Sequence, residues 1–294
     1  MKSDSSLNIR AKNRLAVGID RGGTRTRIVL INGRGAVLKR VVHPTSHIKY
    51  LPDLIIKTAA AWRLEAHVPV IIATRGAMTK KWKKPFLLKK LKDRINLLDV
   101  ISDAQAAYIA AHGSGDGILL IAGTGSVIFL KYRNGRFKKI GGNNPAGGDL
   151  GSGLWIGTRF LKRIKADKRR LTRRARAAYA AEAMRKAEAG DKTAVGLIRE
   201  AHEHLSDLLA AAVNICLDTV SKPRAAKARL APEPLSVALA GGLMQNAFFR
   251  KNFISRAQER LVAVRLVFIA LKRPAENAAA ELALGSFYAG NKNT

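Results

Sequence analysis

The sequence predicts an α/β protein folded as two lobes. Three observations lead there. Short β-branched and aliphatic runs alternate with segments of helical periodicity. The 294 residues reach the size, roughly 250–300, at which a single hydrophobic core stops growing. And the order strand, glycine-threonine loop, strand, Asn-Gly turn, strand occurs twice. With 47% hydrophobic and 25% charged residues the composition is that of a globular protein, which excludes a disordered chain and a fibrous repeat.

The first strand is read at residues 15–19, broken by Asp20-Arg21-Gly22-Gly23, and a second at 26–31. Asn32-Gly33 supplies the hairpin turn into a third at 36–42. Helical spacing at 54–66, a buried strand at 68–73 followed by a Gly76 turn, a basic helical segment at 80–94 and a short strand at 96–100 continue as an α/β layer. Asp103 opens an alanine-rich helix at 104–111. The opening plan then returns as a strand at 117–122, the tight loop Gly123-Thr124-Gly125-Ser126, a strand at 127–132, the Asn134-Gly135 turn and a strand at 136–140. Residues 141–153 contain six glycines and read as loop. The pattern is helical from 154 to about 220, and 222–234 is a connector containing Pro and Lys. A strand at 235–240 ends at Gly241-Gly242, followed by a helix at 246–261, a strand at 264–269 and a closing helix at 275–288 behind Pro274.

There are 53 Lys and Arg against 21 Asp and Glu, a formal charge of +32. Such a charge attracts nucleic acid, anionic membrane surfaces or phosphorylated small molecules and selects none of them. The one cysteine, Cys216, excludes an internal disulfide and a multi-thiolate metal site; it lies in an apolar helical stretch and reads as a buried, inert thiol. A reducing cytoplasm is therefore the expected setting. The first 12 residues are polar and lack the apolar centre of a signal peptide, and no run approaches the ~18 apolar residues of a membrane span.

Phosphoryl transfer needs backbone amides and hydroxyls around the phosphates, a metal ion, and a base at the acceptor. Glycines let N–H groups approach a phosphate, and a threonine hydroxyl adds a donor. Gly22-Gly23-Thr24 and Gly123-Thr124-Gly125 each follow a buried strand in equivalent positions of the two repeats, which favours phosphate loops over plain turns. Beside the first loop the Asp20 carboxylate would repel phosphate unless Mg²⁺ bridged the two, or else it starts an Asx-type turn. Asp103 stands at a strand end, where a carboxylate can take the proton of an attacking hydroxyl; the alternative is a helix N-cap, a task for which Ser102 competes.

These residues resemble the actin, sugar kinase and heat-shock chaperone superfamily. More narrowly, they are similar to the N-acetylglucosamine kinase branch grouped with the BadF/BadG/BcrA/BcrD ATPases. The likeness rests on Gly18-Ile19-Asp20-Arg21-Gly22-Gly23-Thr24, Ser102-Asp103-Ala104, Ala122-Gly123-Thr124-Gly125-Ser126, Gly148-Asp149-Leu150-Gly151-Ser152-Gly153 and Ala240-Gly241-Gly242. It implies two actin-like (ribonuclease H-like) lobes with a nucleotide cleft between them. The implied division is a flexible tail at 1–13, an N-terminal lobe at 14–112 and a C-terminal lobe at 113–294, whose last helix packs back toward the first. It implies ATP and Mg²⁺, with Asp103 as general base, Asp20 holding the metal through water, and Gly22, Gly23, Thr24, Gly123, Thr124 and Gly125 at the phosphates. Gly241 and Gly242 would lie against the adenosine. Asp149 would hydrogen-bond the sugar, with Ser46, Asn143 and Asn144 at the remaining sugar-side positions; a homodimer is left open.

This chain departs from the family pattern at Leu150, where a glutamate is usual, at Asn143-Asn144 in place of a Trp-Gly pair, near Ser46 in place of an asparagine, and at Asn277 in place of a glycine. The phosphate motifs are kept while the sugar-reading residues differ. The expected function is ATP-dependent phosphorylation of an amino sugar of the N-acetylglucosamine type. One alternative is an ATPase without sugar transfer. The lone cysteine speaks against the iron–sulfur activators of the same family, and a cysteine-rich zinc motif is absent. The other alternative is a nucleic-acid binder, suggested by Lys80-Lys81-Trp82-Lys83-Lys84 and by nine cations within 162–176. No nucleic-acid fold signature accompanies them, so salt-sensitive, non-specific adhesion to polyanions is expected in place of a dedicated partner. The six histidines show no metal-ligand spacing. Self-repulsion at +32 predicts that the melting temperature rises as salt is added at neutral pH; a flat or falling dependence would show the charges to be compensated.

Overall fold

The computed structural model describes residues 14–131, 137–144, 149–165, 171–218 and 234–290. The tail at 1–13, the Asn134-Gly135 turn, Gly148, the middle of the basic run at 166–170 and the connector at 222–233 lie outside the described residues. Two compact units form, Met1–Gly113 with Lys272–Thr294, and Ser114–Leu271. The first contains β1 (Leu15–Arg21), β2 (Arg25–Asn32), β3 (Val37–Pro44), a 3₁₀ turn (Ile48–Tyr50), α1 (Leu51–Ala61), β4 (Pro69–Thr74), α2 (Lys83–Leu91), β5 (Asn96–Ile101) and α3 (Asp103–His112). The second contains β6 (Gly117–Ala122), β7 (Ser126–Lys131), β8 (Phe137–Gly141), α4 (Gly153–Arg163), α5 (Arg173–Glu188), α6 (Lys192–Asp218), β9 (Leu235–Ala240), α7 (Gly242–Gln245), α8 (Ala247–Arg260) and β10 (Leu266–Ile269). The chain then returns to the first unit as α9 (Ala275–Gly290).

The first sheet has the order β3-β2-β1-β4-β5, and the second has the same order in equivalent strands, β8-β7-β6-β9-β10. In each, three strands form an antiparallel meander and two add in parallel. The repeated sequence plan is thus a repeated topology.

Alternation along the strands sends side chains to two faces. Val17, Ile19, Ile28, Leu30, Val70 and Ile72 pack toward α1 and α2. Ala16, Val29, Ile31, Ile71 and Ala73 pack toward α3 and α9. Full burial stabilises each Val, Leu or Ile by about 1.5–3 kcal/mol. The second face is built on small residues, with Ala279, Ala280 and Ala283 of α9 opposing the strands. α9 comes so close that a Cβ at Gly18 would stand 1.9 Å from the Glu276 carbonyl oxygen and 2.4 Å from the Ala280 nitrogen. In the second unit the helices cover Ile118, Leu120, Ile128 and Leu130 with Phe160, Leu197, Leu205, Phe249 and Phe253. Gly157 allows α4 and α5 a similar approach, its missing Cβ falling 1.9 Å from the Arg176 carbonyl oxygen.

Several elements differ from the sequence reading. The helix read at 54–66 begins at Leu51, because Pro52 fits an unbonded first turn. The basic segment shortens to Lys83–Leu91. The long helical stretch divides in three; Thr172 caps α5 by accepting from the Ala175 N–H, and Gly190 at φ +88° precedes α6. The single turn α7 after Gly241 was not read. The division between units falls at 113/114 and 271/272, so the closing helix counts with the first unit. Among the described residues no helix is long and apolar enough to cross a membrane.

Two outcomes follow from this packing. Gly18→Ala should lower stability by about 3 kcal/mol through overpacking against α9, whereas Gly285→Ala in the same helix, with open space around it, should raise stability by about 0.5–1 kcal/mol; urea melts of both variants check this. His202 is buried in the second unit, 4.4 Å from the Phe249 ring centroid, with no partner at Nε2 among the described residues. Burial pushes its imidazole down to about 4, against a backbone hydrogen bond at Phe249 and the Glu203 charge. The unfolded chain binds a proton near 6.5 that the folded one refuses, so stability should be lost as pH falls from 6.5 to about 4, by about 3 kcal/mol. His202→Phe should flatten that part of the pH–stability curve.

Candidate active site

In the first unit the site is built at the C-terminal ends of β1, β4 and β5. Asp20, next to last in β1, stands directly opposite Arg27 of β2, which donates to Asp20 Oδ2 from Nη1 at 3.1 Å. The Asp20 side chain is 11% exposed. Burial, together with the nearby Glu276 and Asp103 carboxylates, pushes the Asp20 carboxyl up to about 6, while Arg27 pulls it down. Glu276 is itself buried, in the first turn of α9, 3.6 Å from Arg40 of β3. Arg40 also donates to Asn277 Oδ1 at 2.6 Å, so β3 fastens the start of α9.

The competition at the start of α3 has a definite outcome. Ser102 is the N-cap: its Oγ accepts from the Gln105 N–H at 3.0 Å, and Gln105 Oε1 accepts from the Ser102 N–H at 2.9 Å. This capping box satisfies the helix end and leaves Asp103 as the first helical residue. Asp103 Oδ1 accepts from the Ala104 N–H at 3.0 Å. Burial raises the Asp103 carboxyl above the usual range, opposed by that amide and by the Arg75 and Lys83 charges. A half-buried carboxylate poised this way suits a general base better than one of ordinary acidity.

The loop 22–24 turns between β1 and β2 through the Gly22 N–H, which donates to the Arg25 carbonyl at 3.1 Å. The amides of Gly23 and Thr24 carry no hydrogen bond among the described residues. Thr45 ties the next segment to the loop, donating from N–H to the Thr24 carbonyl at 2.9 Å and from Oγ1 to the Gly22 carbonyl at 3.1 Å. Ser46 is thereby set beside the loop, and Arg21 Nη2 donates to its carbonyl at 2.6 Å. Arg75 Nη1 lies 3.6 Å from where a Cβ at Gly23 would stand, and Lys83 Nζ donates to the Arg75 carbonyl at 2.5 Å. The first unit thus gathers Asp20, Gly22, Gly23, Thr24, Ser46 and Asp103, and adds Glu276, Arg21, Arg75 and Lys83. Their cations face a loop with open amides, an arrangement that favours a phosphate.

The second unit gathers the remaining candidates. Gly123 donates from N–H to the Gly125 carbonyl at 2.9 Å, closing the tight loop, and the amides of Thr124 and Gly125 carry no hydrogen bond among the described residues. The start of α4 holds the loop from beneath: Gly153 and Leu154 donate to the Gly123 and Thr124 carbonyls at 2.7 and 3.2 Å. Gly241 has φ +95°, and a Cβ there would lie 2.3 Å from the Ala122 carbonyl oxygen; Gly242 N is 3.6 Å from a Cβ built at Gly123. The predicted adenosine motif and the second phosphate loop therefore touch. Asp149 Oδ1 accepts from the Asn144 N–H at 2.8 Å, and Oδ2 lies 2.9 Å from a Cβ built at Gly125. Asn143, Asn144, Asp149 and Leu150 line a pocket of about 530 Å³ to which His204 and Asp207 of α6 also contribute. Leu150, with its side chain exposed, fixes the loop only by its carbonyl, which accepts from Ser126 Oγ at 2.7 Å.

No three His, Cys, Asp or Glu side chains among the described residues are grouped to hold a metal by themselves. Mg²⁺ bound to a nucleotide keeps several waters and takes only one or two protein carboxylates. Asp20, raised in pKa by burial and further by the Glu276 and Asp103 carboxylates, fits that demand. Burial also raises the Cys216 thiol, with Asp116 adding to it, which keeps it protonated.

The sequence reading missed Glu276, Arg75 and Lys83. Glu276 carries one signal, an acid in the first turn after Pro274, and nothing local ties it to Asp20.

The chain is 29% identical over 163 residues to the N-acetylmuramic acid/N-acetylglucosamine kinase of Clostridium acetobutylicum, a match covering 50% of this chain and 52% of that protein. It is 26% identical over 170 residues to the N-acetyl-D-glucosamine kinase of Dictyostelium discoideum, covering 50% and 53%. The chain thus spans about half the length of the curated relatives it matches. A candidate N-acetylglucosamine kinase from Chromobacterium violaceum shares the fold, with a TM-score of 0.66 at 23% identity over 92% of this chain and 99% of that one. The model of the BadF/BadG/BcrA/BcrD ATPase family matches residues 17–279. With nearly the whole described fold inside that match, the chain belongs to the BadF/BadG/BcrA/BcrD ATPase family.

Proposed function

We propose that this protein is an ATP-dependent kinase of an amino sugar of the N-acetylglucosamine type. The observation that carries the reading is the capping of α3 by Ser102, which frees the half-buried, basic-shifted Asp103 for chemistry beside an open phosphate loop. The named relatives support the same class of acceptor.

In this reading Asp103 accepts the proton of the sugar hydroxyl as its oxygen attacks the γ-phosphorus, and the bond from that phosphorus to the β-phosphate oxygen breaks to leave ADP. Each unit carries its own phosphate loop: in the first, Gly23 and Thr24 offer amides and a hydroxyl on the turn that Gly22 shapes, and in the second Thr124 and Gly125 do so on the turn that Gly123 shapes. Gly241 and Gly242 leave room for adenosine. Asp20 holds Mg²⁺, which when bound neutralises phosphate charge during transfer. Arg75 and Lys83 add positive charge where negative charge develops. Ser46, Asn143, Asn144 and Asp149 read the sugar. A reducing cytoplasm accords with the protonated single thiol.

Leu150 favours a second reading, an ATPase without sugar transfer, because it puts an exposed apolar side chain in the pocket that holds the sugar-side residues. The test offers ATP and Mg²⁺ with a panel of amino sugars to the wild type and to Asp103→Asn. Sugar-dependent ADP release that falls by about 10²–10⁴-fold in the variant is expected. Turnover that survives the substitution rejects Asp103 as base, and ADP release indifferent to every sugar selects the second reading.

A further inference from the structure

Part of the chain's positive charge gathers on one face of the first unit. Residues 75–94 hold nine Lys and Arg against one acid, Asp93. Most of them lie on or beside α2, and only Lys84 of these is paired with a carboxylate among the described residues, Asp99 at 2.5 Å. Between α1 and α2 runs a groove of about 560 Å³ lined by Lys49, Lys57, Lys90 and Arg94, with Pro52 and Ile56 supplying its apolar part. Asp53 is its one acid. None of the four cations has a carboxylate within ion-pair distance among the described residues.

Two aromatic side chains stand in the open beside these cations. Trp82 is 51% exposed and meets the Phe86 ring edge-on at 6.0 Å; Tyr50 is 52% exposed, with Lys49 Nζ 4.7 Å from its ring centroid. Trp82, Phe86 and Lys90 succeed one another at four-residue spacing, which sets them on one stripe of the helix. That stripe runs about 12 Å along the axis, from the exposed indole to the groove. Unpaired cations in a concave track, interleaved with open aromatic rings, match a chain that alternates phosphates with stackable bases. Exposed Trp and Tyr rings also suit a membrane interface, but a concave track between two helices fits a thread-like chain better than a flat bilayer surface, and an acidic peptide would leave both rings unused.

We propose that the α1–α2 face of the first unit binds single-stranded nucleic acid, with Lys49, Lys57, Lys90 and Arg94 on the phosphodiesters and Trp82 stacking on a base. The site shares none of these residues with the proposed kinase chemistry.

Binding of fluorescein-labelled oligo(U) and oligo(dT) to the full chain, followed by anisotropy across salt, tests this. Both should bind, since the phosphodiester and the base are common to them. Combining Lys49→Gln, Lys57→Gln and Lys90→Gln should make the log–log salt slope shallower by about 2, at about 0.7 per lost contact. Trp82→Ala should weaken binding by about 5- to 100-fold. A control that removes the same charge from exposed positions of the second unit, Arg185→Gln, Lys192→Gln and Lys251→Gln, should leave both slope and affinity near the wild type. Melting curves establish that each variant is folded. Equal weakening by the control, or an unchanged slope in the groove variant, would reduce the binding to diffuse charge and overturn the proposal. So would phosphatidylserine vesicles that bind as tightly as the oligonucleotides and displace them, or a Trp82→Ala variant that binds as the wild type does.

Discussion

The first unit depends on a contact between backbones. At Gly18 the strand β1 has no side chain, and α9 lies directly on it, with the Glu276 carbonyl where a Cβ would be. Two remote stretches of sequence are thereby held at van der Waals distance, and the alanines of α9 follow the strand closely because nothing larger fits. The chemistry of the site follows from the same approach. Asp20 is two residues along the strand on the same face as Gly18, and Glu276 begins the helix, so a close-packed helix necessarily brings a second buried carboxyl near the first. Dehydration and like charge then hold Asp20 in a state of high proton affinity that a divalent cation would relieve. A structural glycine and the acidity of a site residue are one arrangement.

Much of this was legible in the sequence where the signal is local. Aliphatic runs marked the strands, and the two glycine-threonine loops do lie between the first and second strands of equivalent sheets. Ser102 and Asp103 stood as rivals for one cap, and only coordinates could award it, because the decision turns on Gln105 closing the capping box. What stayed hidden depends on tertiary path. Glu276 and Asp20 are neighbours only because α9 returns to β1, and Arg75 meets the glycine loop only because β4 pairs with β1 in parallel. The turn α7 escaped because four residues are too few for a periodicity, and the breaks between α4, α5 and α6 because helical composition continues through them.

The excess charge likewise changes meaning once folded. In the second unit many cations have partners: Arg256 pairs with Glu203 and Glu259, Arg260 with Asp207, and Arg159 and Arg163 with Glu200. The α1–α2 face of the first unit offers almost no acids for its lysines to meet. Uncompensated charge is thus a local property, and the few acids are placed rather than scattered. Asp20 and Glu276 are buried with the half-buried Asp103 near them, and several other acids, among them Asp99, Glu203, Asp207 and Glu281, are committed to ion pairs.

The passage of the chain from the first unit to the second and back sets an order of assembly. Strands β1 to β5 can pair as soon as they are made, yet one face of their sheet keeps its alanines and Gly18 uncovered until α9 has been synthesised, after the whole second unit. Ser114–Leu271 is by contrast continuous and can reach its fold without waiting. The nascent protein therefore passes through an interval in which one unit is finished and the other is a sheet with one apolar face covered only by α3, the kind of surface that chaperones shield and that aggregates when they do not. Gly18, which permits the close packing of the first unit, is thus a residue whose contact is made last.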